Sequence, residues 1–242
     1  MRLWIASLAV CALAGTAASA AAGVPPELQG RVLDRLPTGQ RVVALTIDCG
    51  GNAAGVAAML RALREAKATA TFFLTGRFAK TYPRRARRIA RLYPVGNHSF
   101  SHPHLTALSD TGVVEEVSRA GRAIRAVARR EPRPLFRFPF GDRDARTIGI
   151  VNGLGYVAVG WTVDTLGWQG RTAGRSVGSI LARVRDALGP GAIVLLHAGS
   201  APDGSALDAQ ALPRLIRMLR SRGYELVTVR RYLSRFFQLV RS

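Results

Sequence analysis

Short runs of apolar and β-branched residues alternate along the chain with longer segments in which apolar residues recur at helical spacing. The short runs have the composition of buried strands and lie at residues 41–47, 70–74, 95–97, 135–138, 156–162, 192–196 and 225–229. The longer segments predict helices at 52–66, 77–92, 109–130, 142–154, 176–188 and 209–222. Strands that alternate with helices indicate a parallel sheet in one α/β domain, and about seven such units favour a barrel over an open sheet.

Polar side chains that suit catalysis stand at or just beyond the ends of these predicted strands. They are Asp48, His98, Arg137, Asp164 and His197. Because the chemistry of a parallel barrel collects at the carboxyl ends of its strands, these residues form a candidate catalytic site. His98 and His102, four positions apart, are suited to share one metal ion.

The amino-terminal residues have the pattern of a secretory signal peptide. A basic residue precedes an uncharged run, and the tripeptide at 18–20 has the small-x-small pattern of a signal-peptidase site. The alternative is an uncleaved membrane anchor, since the uncharged run continues to Val24. Either way, we expect a protein that is secreted or held in the cell envelope. The predicted organisation is a signal peptide at 1–20, a linker at 21–40, one catalytic domain at 41–230 and a basic tail at 231–242.

The chain has a formal net charge of +20, carried mostly by arginine. For an exported protein, this charge favours an anionic cell wall as a partner. The arginines are dispersed over the predicted helices without interleaved aromatic residues or a nucleic-acid motif, so nucleic acid is not an expected partner. After removal of the signal peptide, Cys49 is the only cysteine, and no intrachain disulfide is expected. Nothing in the sequence indicates an oligomeric state.

Five segments match, in order, the motifs of a known enzyme family. They lie at 46–50, 98–102, 137–141, 164–168 and 195–197. Over about residues 41–230, the chain resembles the polysaccharide deacetylase family, also called the NodB-homology or carbohydrate esterase family 4 domain. The resemblance implies a distorted (β/α)7 barrel. It also implies metal-assisted removal of acetyl groups from a sugar polymer whose backbone stays intact.

The resemblance assigns a role to each polar residue at a strand end. Asp48 matches the catalytic base that takes a proton from the attacking water, and Arg137 matches the arginine that keeps this carboxylate ionised. His197 matches the general acid that protonates the leaving amine. Asp164 matches the carboxylate that orients this histidine.

The other motif residues are expected to bind a metal and the acetyl group. His98 and His102 match the family's metal ligands, and zinc suits imidazoles in a site with an open position. The backbone N–H of Phe140 is expected to stabilise the oxyanion. Trp168 and Leu195 are expected to line the pocket for the acetyl methyl and a sugar ring.

Cys49 departs from the family pattern, which has a metal-binding aspartate at this position. The Cys49 thiolate could replace the aspartate as a zinc ligand. Alternatively, Cys49 is a small buried apolar residue, and the two histidines hold the metal with water or Asn52. In the third alternative, the site has lost its metal. His104, two residues beyond the histidine pair, is expected not to be a ligand.

These motifs predict a deacetylase that acts on N-acetylglucosamine units of peptidoglycan, of a chitin-like chain or of an exopolysaccharide. Two alternatives remain open at this stage. The same site would cleave an ester, which would make the protein an O-acetyl esterase of the xylan type. A domain without bound metal would instead be a non-catalytic glycan-binding module.

Overall fold

The computed structural model of the protein describes residues 23–239, so the predicted signal peptide lies outside the described residues. Within this range the strands are β1 (Val32–Leu33), β2 (Val42–Cys49), β3 (Thr71–Leu74), β4 (Val95–Asn97), β5 (Leu135–Phe136), β6 (Val157–Val159), β7 (Val163–Asp164), β8 (Ala192–His197) and β9 (Glu225–Val227). The helices are α1 (Val56–Glu65), α2 (Gly76–Thr81), α3 (Pro83–Leu92), α4 (Asp110–Ala128), α5 (Ala145–Gly153), α6 (Val177–Ala187), α7 (Leu207–Ser221) and α8 (Val229–Leu239). None of these helices has the length and apolar character needed to cross a membrane.

The strands form one parallel sheet, as the alternating pattern predicts. Their order is β1-β6-β5-β4-β3-β2-β8-β7. Strand β9 pairs with the first half of β2, whereas β3 pairs with its second half. The sheet curls around an inner apolar core, and a second, larger core lies between the sheet and several of the helices.

Strand β2 is buried along its whole length because both of its faces are covered. Leu45, Ile47 and Cys49 pack into the outer core between the sheet and the helices. On the opposite face, Ala44 packs into the inner core, and Asp48 follows it toward the carboxyl end of the strand. Successive side chains of a strand point to opposite faces, so the neighbours Asp48 and Cys49 face different environments.

Helix boundaries follow local signals in the sequence. The helix expected at 109–130 is α4, and the Ser109 hydroxyl accepts a hydrogen bond from the Gly112 N–H at its start. The single helix expected at 77–92 is instead two helices, because Pro83 has no N–H to continue α2 and occupies the first turn of α3.

The segment expected to be a linker at 21–40 packs against the domain over much of its described part. Strand β1 pairs with β6, and the side chains of Leu33 and Leu36 are buried in the inner core. The Leu36 N–H donates to the Gly191 carbonyl at 2.8 Å. At the other end, α8 begins before the predicted tail and extends through residue 239.

We therefore predict that Leu36→Ala lowers the free energy of unfolding by about 2–5 kcal/mol, because Leu36 is fully buried in the inner core. The measurement is urea unfolding followed by circular dichroism. Leu92→Ala is the control, since Leu92 is 47% exposed and should cost less than about 1 kcal/mol. Equal stability of the two variants would show that the segment around Leu36 does not contribute to the fold.

Candidate active site

A cavity of about 600 Å³ opens at the carboxyl ends of the strands. Eight of the ten predicted site residues line it: Asp48, His98, His102, Phe140, Asp164, Trp168, Leu195 and His197. The other two, Arg137 and Cys49, are fully buried and do not reach the cavity wall. The structure thus brings residues from distant parts of the sequence to one concave site.

The floor of this site is a buried ion pair between Arg137 and Asp48. The Arg137 guanidinium donates to Asp48 Oδ1 at 2.9 Å and to the Thr46 hydroxyl at 2.9 Å. It also donates to the carbonyls of Val159 and Gly160 at 3.2 and 2.8 Å. Burial by itself would raise the pKa of Asp48, but the charge and hydrogen bond of Arg137, together with contributions from His98 and His197, hold this pKa below its ordinary value. Asp48 is therefore a carboxylate at neutral pH.

His98 lies beside this carboxylate with its ring orientation fixed. Its Nδ1 is 2.9 Å from the Arg137 carbonyl, which can only accept, so Nδ1 carries the proton. Its Nε2 is 3.3 Å from Asp48 Oδ2. Burial lowers the pKa of His98, which keeps the ring neutral and leaves a lone pair on Nε2 that faces a carboxylate oxygen.

His102 completes a pair of neutral imidazoles. Its ring lies edge-on to that of His98, with the centroids 4.8 Å apart. Burial lowers the pKa of His102 to about 4, and the nearby His98 ring contributes to the shift. Both histidines therefore present unprotonated nitrogens at neutral pH, as metal ligands must.

Glu116 of α4 anchors the loop that carries the two histidines. Its carboxylate accepts from the Phe100 N–H and the Ser101 N–H at 2.9 Å each, and from the Ser101 hydroxyl at 2.8 Å. The side chain of Asn97 accepts from the Ser99 N–H at 3.0 Å. These contacts fix a loop in which Ser99 and His102 both have positive φ. Glu116 is not among the residues predicted from the sequence, because a glutamate on a helix has no local signal for this role.

The Cys49 thiol is not brought together with the histidines. It is fully buried in the outer core, on the opposite face of β2 from Asp48. Burial raises the pKa of this thiol well above its ordinary value, and the negative charge of Asp48 adds to the effect. A group that resists ionisation in an apolar core is a poor source of a thiolate ligand.

The histidine pair and Asp48 have the chemistry to bind a cation. They would supply fewer protein ligands than the four of a structural zinc site. The facing lone pairs of His98 Nε2 and Asp48 Oδ2 repel one another unless a proton or a cation lies near both. The bond from His98 Nδ1 to a backbone carbonyl is the outer-shell contact typical of a metal-binding histidine. Among residues 23–239, however, no three His, Cys, Asp or Glu side chains are clustered as a ready-made metal site.

His197 stands at the end of β8 on another side of the cavity. Its Nδ1 is 3.8 Å from Asp208 Oδ2, and its backbone N–H donates to the same oxygen at 2.8 Å. Asp164 makes different contacts, since it accepts from the Leu166 N–H at 2.9 Å and from Trp168 Nε1 at 3.2 Å. Burial opposes protonation of His197, but Asp208, Asp48 and Asp164 outweigh it and raise its pKa.

Aromatic side chains form an exposed rim around the cavity. Phe140 is 59% exposed in a turn with positive φ, and its ring contacts His102 and stacks on His104. Trp168 is 47% exposed, and its ring centroid lies 6.1 Å from that of His197. His104 pairs with an aspartate outside the cavity, where its Nδ1 is 2.9 Å from Asp142.

Comparison with known proteins identifies the family. The model of the polysaccharide deacetylase family matches residues 35–159. A chitooligosaccharide deacetylase from Azorhizobium caulinodans is 32% identical over 202 residues, which cover 79% of this chain and 94% of that protein. The chain belongs to the polysaccharide deacetylase family. Membership confirms the resemblance, the distorted (β/α)7 barrel and the enzyme class that the five motifs predicted.

Two further relatives of this polysaccharide deacetylase chain differ in character. A peptidoglycan-N-acetylglucosamine deacetylase from Bacillus cereus is 28% identical over 195 residues, covering 80% of this chain and 68% of that protein. A solved structure from Bacillus anthracis, described as a carbohydrate esterase family 4 pseudoenzyme, matches with a TM-score of 0.73 at 29% identity. That match covers 80% of this chain and 66% of the other.

We predict that Arg137→Met lowers the free energy of unfolding by about 3–5 kcal/mol at neutral pH, because it leaves the Asp48 charge buried and unpaired. The loss should shrink as the pH falls. In the wild type the lowered pKa of Asp48 stabilises the fold above the unfolded pKa, and this contribution disappears in acid. In the variant, protonation of Asp48 removes the unpaired charge.

Urea unfolding between pH 7 and pH 4 measures this dependence on pH. Arg133→Met is the matched control, since Arg133 pairs with Glu131 at the surface and should cost less than about 1 kcal/mol. A pH-independent difference between Arg137→Met and the wild type would contradict the assignment of the effect to Asp48.

The position of Cys49 leads to a separate prediction. Cys49→Ser should lower the free energy of unfolding by about 1–3 kcal/mol, because it buries a hydroxyl in an apolar core. Zinc affinity, measured by isothermal titration calorimetry, should stay within about twofold of the wild type. His102→Ala, which removes an imidazole, is the control expected to weaken zinc binding. A tenfold loss of zinc affinity in Cys49→Ser would support thiolate ligation instead.

Proposed function

We propose that this protein is an exported, metal-dependent deacetylase that hydrolyses the N-acetyl groups of N-acetylglucosamine units in a glycan. The observation that supports it best is the Asp48 carboxylate, which Arg137 holds at 2.9 Å while its other oxygen faces His98 at 3.3 Å. An ionised carboxylate beside two neutral imidazoles in a cavity suits the activation of water.

Asp48 and His197 provide the two proton-transfer groups. The pKa of Asp48 lies below its ordinary value and that of His197 lies above, so Asp48 is ionised as a base and His197 holds its proton more firmly than a free imidazole does. Oδ1 of Asp48 is occupied by Arg137, which leaves Oδ2 to take a proton from water. His197 then gives its proton to the departing amine nitrogen.

His98 and His102 would hold the metal, and we propose zinc. When bound, a divalent metal polarises the acetyl carbonyl and acidifies the attacking water. We propose that Cys49, whose thiol lies in the outer core, does not supply the third position of this site. Asp48 Oδ2, the proposed base, lies 3.3 Å from His98 Nε2 and so stands next to this site.

The remaining cavity residues suit an acetylated sugar. Leu195 is almost fully buried where it lines the cavity and offers an apolar wall for the acetyl methyl. Phe140 and Trp168 present exposed rings at the rim, on which a sugar face can stack. The Phe140 N–H is proposed to stabilise the oxyanion. Asp164 contributes negative charge that favours the protonated form of His197.

A glycan of the cell envelope is the proposed substrate, because relatives of the chain are named as deacetylases of chitooligosaccharides and of peptidoglycan. The net charge of +20 supports attraction to an anionic wall. A catalytically silent glycan-binding domain is the second candidate. It is favoured by Cys49 at the place of a metal ligand and by the structural similarity to a pseudoenzyme.

Acetate release from N-acetylglucosamine oligomers and from peptidoglycan tests the proposal. We expect release that stops on chelation and returns with zinc. Asp48→Asn should lower the rate by about 10²–10⁴-fold while zinc stays bound, because the base is lost. Wild-type activity in Asp48→Asn would place the base elsewhere.

Two other outcomes separate the alternatives. Release from acetylated xylan alone would identify an O-acetyl esterase. Binding of these glycans without release of acetate and without bound zinc would identify the silent binding domain.

A further inference from the structure

We propose that Asp208 is the positioning residue for His197, the carboxylate that fixes its tautomer and its orientation. The inference deepens the proposed deacetylase function and rests on it for the meaning of His197. Two buried polar atoms, His197 Nδ1 and Asp208 Oδ1, have no hydrogen-bond partner among the described residues.

The two residues already share one contact. Asp208 lies in the first turn of α7 and is 2% exposed, and its Oδ2 accepts the His197 backbone N–H at 2.8 Å. The same oxygen is 3.8 Å from His197 Nδ1, just beyond hydrogen-bond distance. The backbone contact therefore holds the carboxylate next to residue 197, within reach of its imidazole.

A small rotation of either side chain would let His197 Nδ1 donate to the Asp208 carboxylate. A buried donor or acceptor without a partner costs about 1–3 kcal/mol, so the pair has a strong tendency to close. In proteins without substrate, hydrogen bonds of catalytic groups are often long and shorten in the complex. Closure would put the proton on Nδ1, facing Asp208, and leave Nε2 directed away from α7.

Gly167 makes room for this carboxylate. A Cβ at position 167 would lie 2.3 Å from Asp208 Oδ1 and 2.6 Å from its Cγ, closer than atoms can approach. The chain thus keeps a space at position 167 that the buried carboxylate fills. Any side chain at this position would displace Asp208 from its place beside His197.

The other carboxylates near His197 are occupied. Asp164 accepts from the Leu166 N–H and from Trp168 Nε1, and Asp48 is held by Arg137. The negative charges of Asp164 and Asp48 help to raise the pKa of His197. His98 and His102 are also close enough to interact electrostatically with His197. Asp208 is distinguished from the other carboxylates by its contact with the histidine itself.

Side-chain ¹⁵N NMR of the full chain, without metal or substrate, tests the assignment. The His197 signals are identified by their loss in His197→Gln. We expect Nδ1 to carry the proton in the wild type, and His197 to titrate at lower pH in Asp208→Asn. Gly167→Ala, which keeps Asp208 in the sequence but displaces its carboxylate, should produce the same shift. Asp186→Asn, an exposed substitution, is the control that should leave His197 unchanged.

Kinetics supply the second readout. Asp208→Asn should lower kcat on the order of 100-fold with KM changed less than about threefold, because the substrate contacts remain. Unchanged NMR signals of His197 in both Asp208→Asn and Gly167→Ala would overturn the proposal. So would a shift that appears only in Asp164→Asn. The NMR result does not depend on turnover, so a wild type without deacetylase activity would refute the proposed function and leave the role of Asp208 decided separately.

Discussion

The ion pair between Arg137 and Asp48 determines how the rest of the site is built. A buried guanidinium is tolerated only when its donors are bonded, and this one reaches two side chains of β2 and two carbonyls at and beyond the end of β6. The Arg137 backbone participates as well, since its N–H donates to the Asn97 carbonyl and its own carbonyl accepts from His98. From its position just after β5, this one residue thus connects β2, β4 and β6 at the level where the cavity begins.

The same cation sets the protonation of its neighbours. Its charge keeps Asp48 ionised and also disfavours a second positive charge on His98, whose burial acts in the same direction. An ionised carboxylate next to an unprotonated imidazole is the protonation state in which these two side chains can bind a cation. The guanidinium also lies 4.3 Å over the ring of Phe73, so it is supported from the inner core as well as by its hydrogen bonds. The same guanidinium therefore determines the electrostatics of the site and packs against the inner core of the barrel.

Local patterns in the sequence were sufficient to predict seven of the nine described strands, most of the described helices and the residues at strand ends. Asp48, His98 and His197 were predictable because strand ends of a parallel sheet meet at one edge. Asp208 and Glu116 were not, because each reaches the site from a helix, and a helical acid has no local signal for a distant partner. The outward position of Cys49 follows from the alternation of side chains along β2, which a match of motif residues does not take into account. Strand β1, two residues long, is too short for any periodicity.

The pairing of β2 has a consequence for the order in which the site can assemble. This strand carries Asp48 near the start of the domain, yet its partners β8 and β9 lie near the end of the chain. The Thr46 hydroxyl, for example, donates to the Val194 carbonyl across a separation of 148 residues. Such non-local contacts form late in folding, because long loops must close first. A nascent chain would hold the motif residues of β2 without their pairing partners, so the cavity can form only after almost the entire domain is available.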